Sequence, residues 1–240
     1  NTNKRMKIAV ISDIHGNYDA LVAVLKKAKN EMVEHLLILG DIVGYYYHPD
    51  KILTTLAKWD FDMIKGNHED ILRDLLSNPS LHESIRLKYG SGHQHAIEKL
   101  DNITINSLTG LPSKKTVILD GVSFELNHGT PWDSDEYLYP DGTIEKFKQS
   151  NSKQHDFVLM GHTHYSFIHQ GEDSIILNPG SVGQSREQGG YAYWALVETK
   201  DKSHFIKKTK YDTNSLKEEV NSIDPNILYN LNILTRKKDE

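Results

Sequence analysis

A short apolar run, KIAVI at residues 7–11, is followed at once by ISDIHGNYDAL, in which Asp13 and His15 stand two positions apart, Gly16 turns the chain, and a helical pattern begins. Leu21, Val24, Leu25 and Ala28 recur on one helical face, and Asn17 is placed to cap the first turn. The next apolar run, LLIL at 36–39, ends in the same way on Gly40 and Asp41. Strand, helix and strand at this spacing form a crossover unit. Such a unit pairs its strands in parallel and buries both faces of the sheet. It also sets polar, metal-capable side chains at the ends of buried strands.

The pattern continues along the chain. PDKILTTLAKW (49–59) predicts another helix and FDMI (61–64) a third strand, so the N-terminal half reads as repeated crossovers; about 69–100 reads as helical. FVLM (157–160) and SIILN (174–178) are further short apolar runs. From 116 onward TVIL, VSFELNH, YSFIHQ, YAYWALVE and SHFIKKTKY alternate as strands, with LDGV (119–122) as a tight turn, which predicts a more antiparallel half. No Gly/Ser-rich linker divides the halves, and 240 residues suit one sizeable core, so residues 6–235 are expected to form a single domain of two facing sheets. PNILYNLNIL near the end places Ile227, Leu231 and Leu234 on one stripe, as in a helix packed on the body.

Composition narrows the chemistry. With no cysteine, thiolate metal sites and disulfides are excluded, which suits a reducing compartment. No apolar run approaches the ~18 residues of a membrane span. A net charge of -5 argues against an extended nucleic-acid footprint. Residues 1–5 precede the first Met and read as a cloning remnant, with no secretory signal after them, so a cytoplasmic location is expected.

Eight metal-capable residues follow the strands: Asp13 and His15, Asp41, Asn67 and His68 (KGNHED), His128 (NHGTP), and His162 and His164 (MGHTH). Sites in open α/β sheets form beyond the carboxyl ends of the strands, so these residues can converge on one edge. His35, His82, His93, His95, His155, His169 and His204 carry no such context and receive no role. Oxygen and imidazole ligands suit Mn, Fe, Zn, Ni, Co or Mg, with Mn placed first. Eight candidates exceed the first shell of one ion, so two divalent ions are expected. Asp13 and Asp41 leave such a pair with about two positive charges, which attract an anion.

DIHG, GD, GNHE, HG and GHTH, in this order and with these gaps, resemble the calcineurin-like metallophosphoesterases over nearly the whole chain. GDIVGYYYHPD, HGTPWDSDEYLYP and NPGSVGQSRE are similar to a small bacterial and archaeal phosphodiesterase branch related to the YfcE type. The resemblance implies a four-layer αββα sandwich of two facing mixed β-sheets flanked by helices. It implies one metal held by Asp13, His15, Asp41 and His164, a second held by Asp41, Asn67, His128 and His162, and His68 as the acid that protonates the leaving oxygen. The expected activity is hydrolysis of phosphodiester or phosphomonoester bonds in small molecules or nucleotides by a metal-bridging hydroxide. The alternatives are a non-catalytic scaffold on the same fold and a nuclease of the same superfamily; a homo-oligomer is left open.

The chain departs from the protein phosphatases of that superfamily, which continue the second motif as GDxxDRG. Here it reads GDIVGYY, without the Asp that would orient His68 or the Arg that would grip phosphate. Arg186 is the candidate for the missing anion contact, with a surface ion pair to Glu187 or another carboxylate as its alternative. Tyr45, His48, Thr130 and Trp132 adjoin the motifs and are expected to line a substrate pocket. A small phosphorylated substrate is favoured over a protein.

Overall fold

Strand β1 (Lys7–Ile11) serves two cores at once: Ile8 and Val10 point into one, Ala9 and Ile11 into the other, and all four are fully buried. In the computed structural model, which describes residues 5–238, α1 (Tyr18–Asn30) leads from it to β2 (His35–Ile38). Then α2 (Pro49–Leu56) leads to β3 (Asp60–Met63), and the three strands pair in parallel. Asn17 caps α1 as expected, its side-chain oxygen accepting the Ala20 N–H at 3.1 Å.

The helical middle comprises α3 (Asn67–Ser77), a 3-10 turn, α4 (His82–Tyr89), α5 (Gly92–Lys99) and α6 (Asn102–Thr109), so it runs past the predicted end at 100. A hairpin follows, β4 (Lys114–Leu119) and β5 (Val122–Asn127), whose turn puts Asp120 and Gly121 at φ 50° and 80°. That left-handed pair is what an Asp-Gly dipeptide supplies. The chain continues through α7 (Ile144–Ser150), β6 (Phe157–Leu159), β7 (Ser166–Gln170), β8 (Ile175–Pro179), β9 (Tyr191–Glu198) and β10 (His204–Lys210). It closes with α8 (Asn214–Ile223), α9 (Leu228–Asn232) and a 3-10 turn over Ile233–Thr235.

The sheets are ordered β10-β9-β1-β2-β3 and β4-β5-β6-β8-β7. Two details differ from the sequence reading. The strands do not divide by halves, because β9 pairs antiparallel with β1 and brings β10 with it into the first sheet. Ile8, Val10 and Ala9 would otherwise lie on an uncovered apolar edge. The second sheet is not mainly antiparallel: β5, β6 and β8 run parallel, and α7, too short to give a clear period, makes the crossover between β5 and β6.

Between the sheets, Ile8, Val10, Leu37 and Leu39 meet Phe124, Leu126, Phe157 and Leu159. On the outer face of the first sheet, Leu21 and Val24 of α1 and Ile52 of α2 pack against Ala9, Ile11 and Leu36. Phe147 of α7 covers the outer face of the second, over Val158, Phe167 and Ile176. The result is the four-layer αββα sandwich. At the C-terminus the expected single helix is broken into α9 and a 3-10 turn. Ile227 and Leu234 are nevertheless buried, and Leu234 packs with Leu216 and Val220 of α8 against Tyr45, Tyr46 and Tyr47. The remnant assigned to residues 1–5 lies outside the described residues except for Arg5, which pairs with Glu198. Among the described residues no helix is long and apolar enough to cross a membrane.

Candidate metal centre

The loops after the parallel strands keep the strand register for a few more residues. Asp13 N donates to Gly40 O at 3.1 Å and His15 N to Asp41 O at 2.9 Å, while Gly161 N donates to His128 O at 2.7 Å in the other sheet. The sheets are tied together where these loops meet: His162 N donates to Asp13 Oδ2 at 3.0 Å, and Ser181 Oγ to Asp13 O at 2.7 Å. The buried Glu69 carboxylate accepts the N–H groups of Gly66, Asp41 and Ile42 at 2.8 to 2.9 Å and so fastens the second and third loops. Of nine non-glycine residues at positive φ among those described, Asp13, His15, Asp41, Tyr45, His162 and His164 are six. Such a concentration of unfavourable backbone marks a site whose geometry the surrounding packing enforces. Gly66 explains one close approach, since a Cβ there would meet Asp41 Oδ1 at 2.1 Å.

The structure brings the eight candidates to this one edge. Asp13, His15 and His164 form one group, His15, Asp41 and His68 a second, and Asp41, His128 and His162 a third. In each, ligand atoms lie within 4.8 Å of one another, and every member is buried. Asn67 joins the third group, with its Oδ1 3.0 Å from His128 Nε2. The groups share His15 and Asp41 and therefore form one continuous cluster. Asp41 Oδ1 accepts the His68 backbone N–H, while Oδ2 is 3.2 Å from His128 Nε2 and 3.7 Å from His15 Nε2.

Two features test whether these residues suit a cation. His15 and His164 each direct Nδ1 to a backbone carbonyl, Val43 O and Gln184 O, at 2.9 Å. A carbonyl accepts only, so each Nδ1 carries the hydrogen and each neutral ring has its lone pair on Nε2. Those two Nε2 atoms face each other at 3.1 Å. Two lone pairs at that distance repel unless a proton or a cation lies between them. The second feature is Asp13 Oδ1, which is buried and accepts no hydrogen bond although His164 Nε2 is 3.1 Å and His15 Nε2 3.6 Å away. A desolvated carboxylate oxygen among imidazole lone pairs fits a divalent ion.

Charge in the metal-free chain couples these same residues. Burial alone would lower His128, but the Asp41 carboxylate outweighs it and raises the imidazole to about 10. For Asp13, burial acts upward, yet His164 and His15 hold the carboxyl well below its usual range. At pH 8, below the raised value, His128 therefore carries a proton, which an ion bound at its Nε2 would have to displace. Calorimetric titration of the metal-free chain with Mn at pH 8, in buffers of different ionisation enthalpy, is expected to give release of at least one proton. Metal uptake with no proton release would show that His128 is neutral before the ion binds or lies outside the ligand set.

His68 heads α3, and its ring lies 4.7 Å from that of His15 at 71°. In place of the missing Asp, His93 of α5 approaches it: His93 Nε2 is 3.2 Å from His68 Nδ1, and the rings stack at 5.0 Å and 9°. His93 is buried and its own Nδ1 has no partner. Sequence reasoning passed over His93 because it lies on a helix remote from every strand end. Nothing in a local motif marks it.

The remaining pocket candidates separate. Tyr45 packs its ring against His15 at 4.7 Å and His68 at 5.2 Å. Arg186 makes no ion pair with Glu187, whose carboxylate accepts from Ser166; the ion-paired arginines among the described residues are Arg5, Arg73 and Arg86. Arg186 lines a cavity with Tyr45, whereas His48, Thr130 and Trp132 do not. His48 pairs with Glu219 at 2.6 Å. Thr130 Oγ1 bonds within its own turn to Asp133, and the Trp132 indole donates to Glu136. The 130–136 loop does reach the centre by another route, because the Asp135 carbonyl accepts His162 Nε2–H at 3.2 Å. That bond leaves Nδ1 as the His162 nitrogen free to coordinate.

Comparison with known proteins gives concordant results. The model of the calcineurin-like phosphoesterase superfamily domain matches residues 6–202. The uncharacterized protein MJ0912 of Methanocaldococcus jannaschii is 30% identical over 231 residues, covering 89% of this chain and 91% of that protein. Two solved structures share the fold. The hypothetical protein PH1004 of Pyrococcus horikoshii OT3 superposes with a TM-score of 0.82 at 20% identity, over 98% of this chain and 100% of that one. A metallophosphoesterase from Sphaerobacter thermophilus gives 0.76 at 22% identity, over 96% and 100%.

Proposed function

The chain belongs to the calcineurin-like phosphoesterase superfamily, and from that premise we propose that it is a dinuclear metal-dependent phosphoesterase acting on small phosphodiesters or phosphomonoesters. The observation that carries this reading is the position of Asp41. Its Oδ2 lies 3.2 Å from His128 Nε2 and 3.7 Å from His15 Nε2, within reach of rings assigned to both sites, which is what a ligand shared by two ions requires. In this reading Asp13, His15, Asp41 and His164 hold one ion, and Asp41, Asn67, His128 and His162 the other, with Mn the first candidate. When bound, such ions supply Lewis acidity toward the phosphoryl oxygens and make water nucleophilic near neutral pH.

The protein's own residues do the rest. Backbone carbonyls on Nδ1 of His15, His128 and His164 fix each ring with Nε2 toward the centre, so little reordering is needed when a substrate arrives. His68 is the group we assign to the leaving oxygen. Burial, only partly countered by Asp41, leaves its imidazole well below the usual range in the metal-free chain. A phosphate anion beside the ring favours the protonated form, and His93 Nε2 is placed to accept the Nδ1–H of that imidazolium. A neutral acceptor holds the proton less firmly than a carboxylate would. His68 is thereby kept a strong enough acid to release its proton to a departing alkoxide.

The absence of the DRG element and of a basic face supports small esters over phosphoproteins or duplex DNA. Assayed with Mn, Zn, Ni and Mg in turn, bis(p-nitrophenyl) phosphate or a small nucleotide diester is expected to be turned over much faster than a folded phosphoprotein or duplex DNA. A preference for the phosphoprotein would overturn the substrate class. Hydrolysis of none of them, with metal bound, would leave a non-catalytic scaffold.

A further inference from the structure

Beside the metal centre lies a cavity of about 590 Å³ whose nine lining residues are six tyrosines, two arginines and a lysine. We propose that this cavity is a binding site for a nucleotide carrying at least two phosphates, its base on the tyrosine rings and its phosphates on Arg186, Lys88 and Arg236. The inference rests on the phosphoesterase reading for the fate of the ligand, though not for its binding.

Three observations lead there. The first is composition: half of the chain's twelve tyrosines line this one cavity, and three cations line it with no carboxylate, on a chain of net charge -5. A local surplus of positive charge against the overall balance selects an anion. Arg186 has a buried Nε without a partner, and its guanidinium also lies against the Tyr229 hydroxyl. The planar N–H edge of a guanidinium matches phosphate oxygens.

The second is the arrangement of rings. The metal-site imidazole of His162 stacks on Tyr137 at 3.9 Å, and Tyr137 on Tyr139 at 5.7 Å and 7°, so a ladder of parallel rings leads from the centre into the cavity. Tyr45 and Tyr89 line the cavity next to His68, with Tyr229 6.3 Å from Tyr45. These rings are not simply core. Tyr137, Tyr139 and Tyr229 are 41%, 37% and 43% exposed, which leaves flat aromatic surface for a planar ring to cover. The depression is open to solvent and has room for a nucleotide.

The third is where the wall comes from. Tyr229 and Arg236 lie beyond residue 202, outside the stretch that matches the superfamily domain. They are carried by α9 and the segment after it, and neighbouring residues of that segment pack on the Tyr45–Tyr47 run. The C-terminal segment therefore adds a wall to the centre that the matched domain does not supply.

Calorimetry with ADP, pyrophosphate and adenosine, on the full chain freed of metal with EDTA and again after reloading with Mn, tests the proposal. ADP is expected to bind at least about tenfold more tightly than pyrophosphate or adenosine, because each lacks one half of the contact. Tyr139→Ala should weaken ADP about tenfold and leave pyrophosphate unchanged, which also reports that the variant is folded. Arg236→Ala should weaken ADP and pyrophosphate together and leave adenosine unchanged. Equal affinity for ADP and pyrophosphate, or ADP binding indifferent to Tyr139→Ala, would overturn the inference. This pattern of ADP binding in a chain that hydrolyses no ester would remove the phosphoesterase reading and leave the nucleotide site standing. Turnover of bis(p-nitrophenyl) phosphate with ADP bound no better than pyrophosphate would do the reverse.

Discussion

Asp41→Asn is expected to weaken both metal sites together and to lower turnover of a phosphodiester by at least about 10³. Loss of an outer partner of a metal ligand commonly costs 10- to 100-fold in affinity, and a ligand shared by two ions must exceed that at each. The geometry ties the effect to this residue, because Asp41 Oδ2 lies 3.2 Å from His128 Nε2 and 3.7 Å from His15 Nε2. His15→Ala should by contrast deplete chiefly one ion, although His15 is shared by two of the close groups. Metal analysis after reconstitution in Mn should give close to two ions per wild-type chain and far fewer in Asp41→Asn. A firm value of one in a fully active wild type would end the dinuclear reading. Equal loss of both ions in the two variants would contradict the division of ligands. The fold should survive, since Glu69 holds the loop through its backbone N–H groups and not through the Asp41 side chain.

The second large effect belongs to His68. His68→Ala is expected to keep both ions and to lower kcat by about 10² to 10⁴ for a diester with a poorly leaving alcohol. For a nitrophenyl ester the loss should shrink, because nitrophenolate departs without a proton and an acid has little barrier left to lower. His93→Ala should reproduce the same dependence on leaving group at about tenfold, since it removes only the partner of His68 Nδ1. A residue that merely supported the fold would reduce both substrates alike. Equal losses on both esters with metal content intact would make His68 an electrostatic clamp on phosphate. Loss of an ion in His68→Ala would make it a ligand, a role its place in the His15 and Asp41 group allows on distance alone.

The sequence was most informative where a local pattern has one physical solution. A run such as KIAVI, closed by a turn and followed by a helix with a single apolar face, can bury itself only as a strand in a crossover unit, and β1, α1 and β2 follow the predicted bounds to within about a residue. The same rule gathers the candidate ligands, because residues that end parallel strands must meet at one edge, and Asp13, Asp41, Asn67, His128 and His162 do so from five strands. Pairing partners were beyond it. Whether β9 joins β1 or extends the second sheet depends on which apolar edge needs cover, and an alternating strand such as YAYWALVE reads the same in either place.

Contacts between remote elements were equally illegible. His93 meets His68 from 25 residues away, Arg186 enters a cavity far in sequence from Tyr45, and Tyr229 reaches that cavity from a helix that looks like ordinary packing. Side chains at strand ends are placed by the strand itself and so can be read from its residues. Those on helices and long loops are placed by what they pack against, and that is decided only when the layers close. The crossover units, and the edge on which the candidate donors gather, were thus legible from the residues alone. Tertiary structure decided which groups stand around them and what a substrate would meet there.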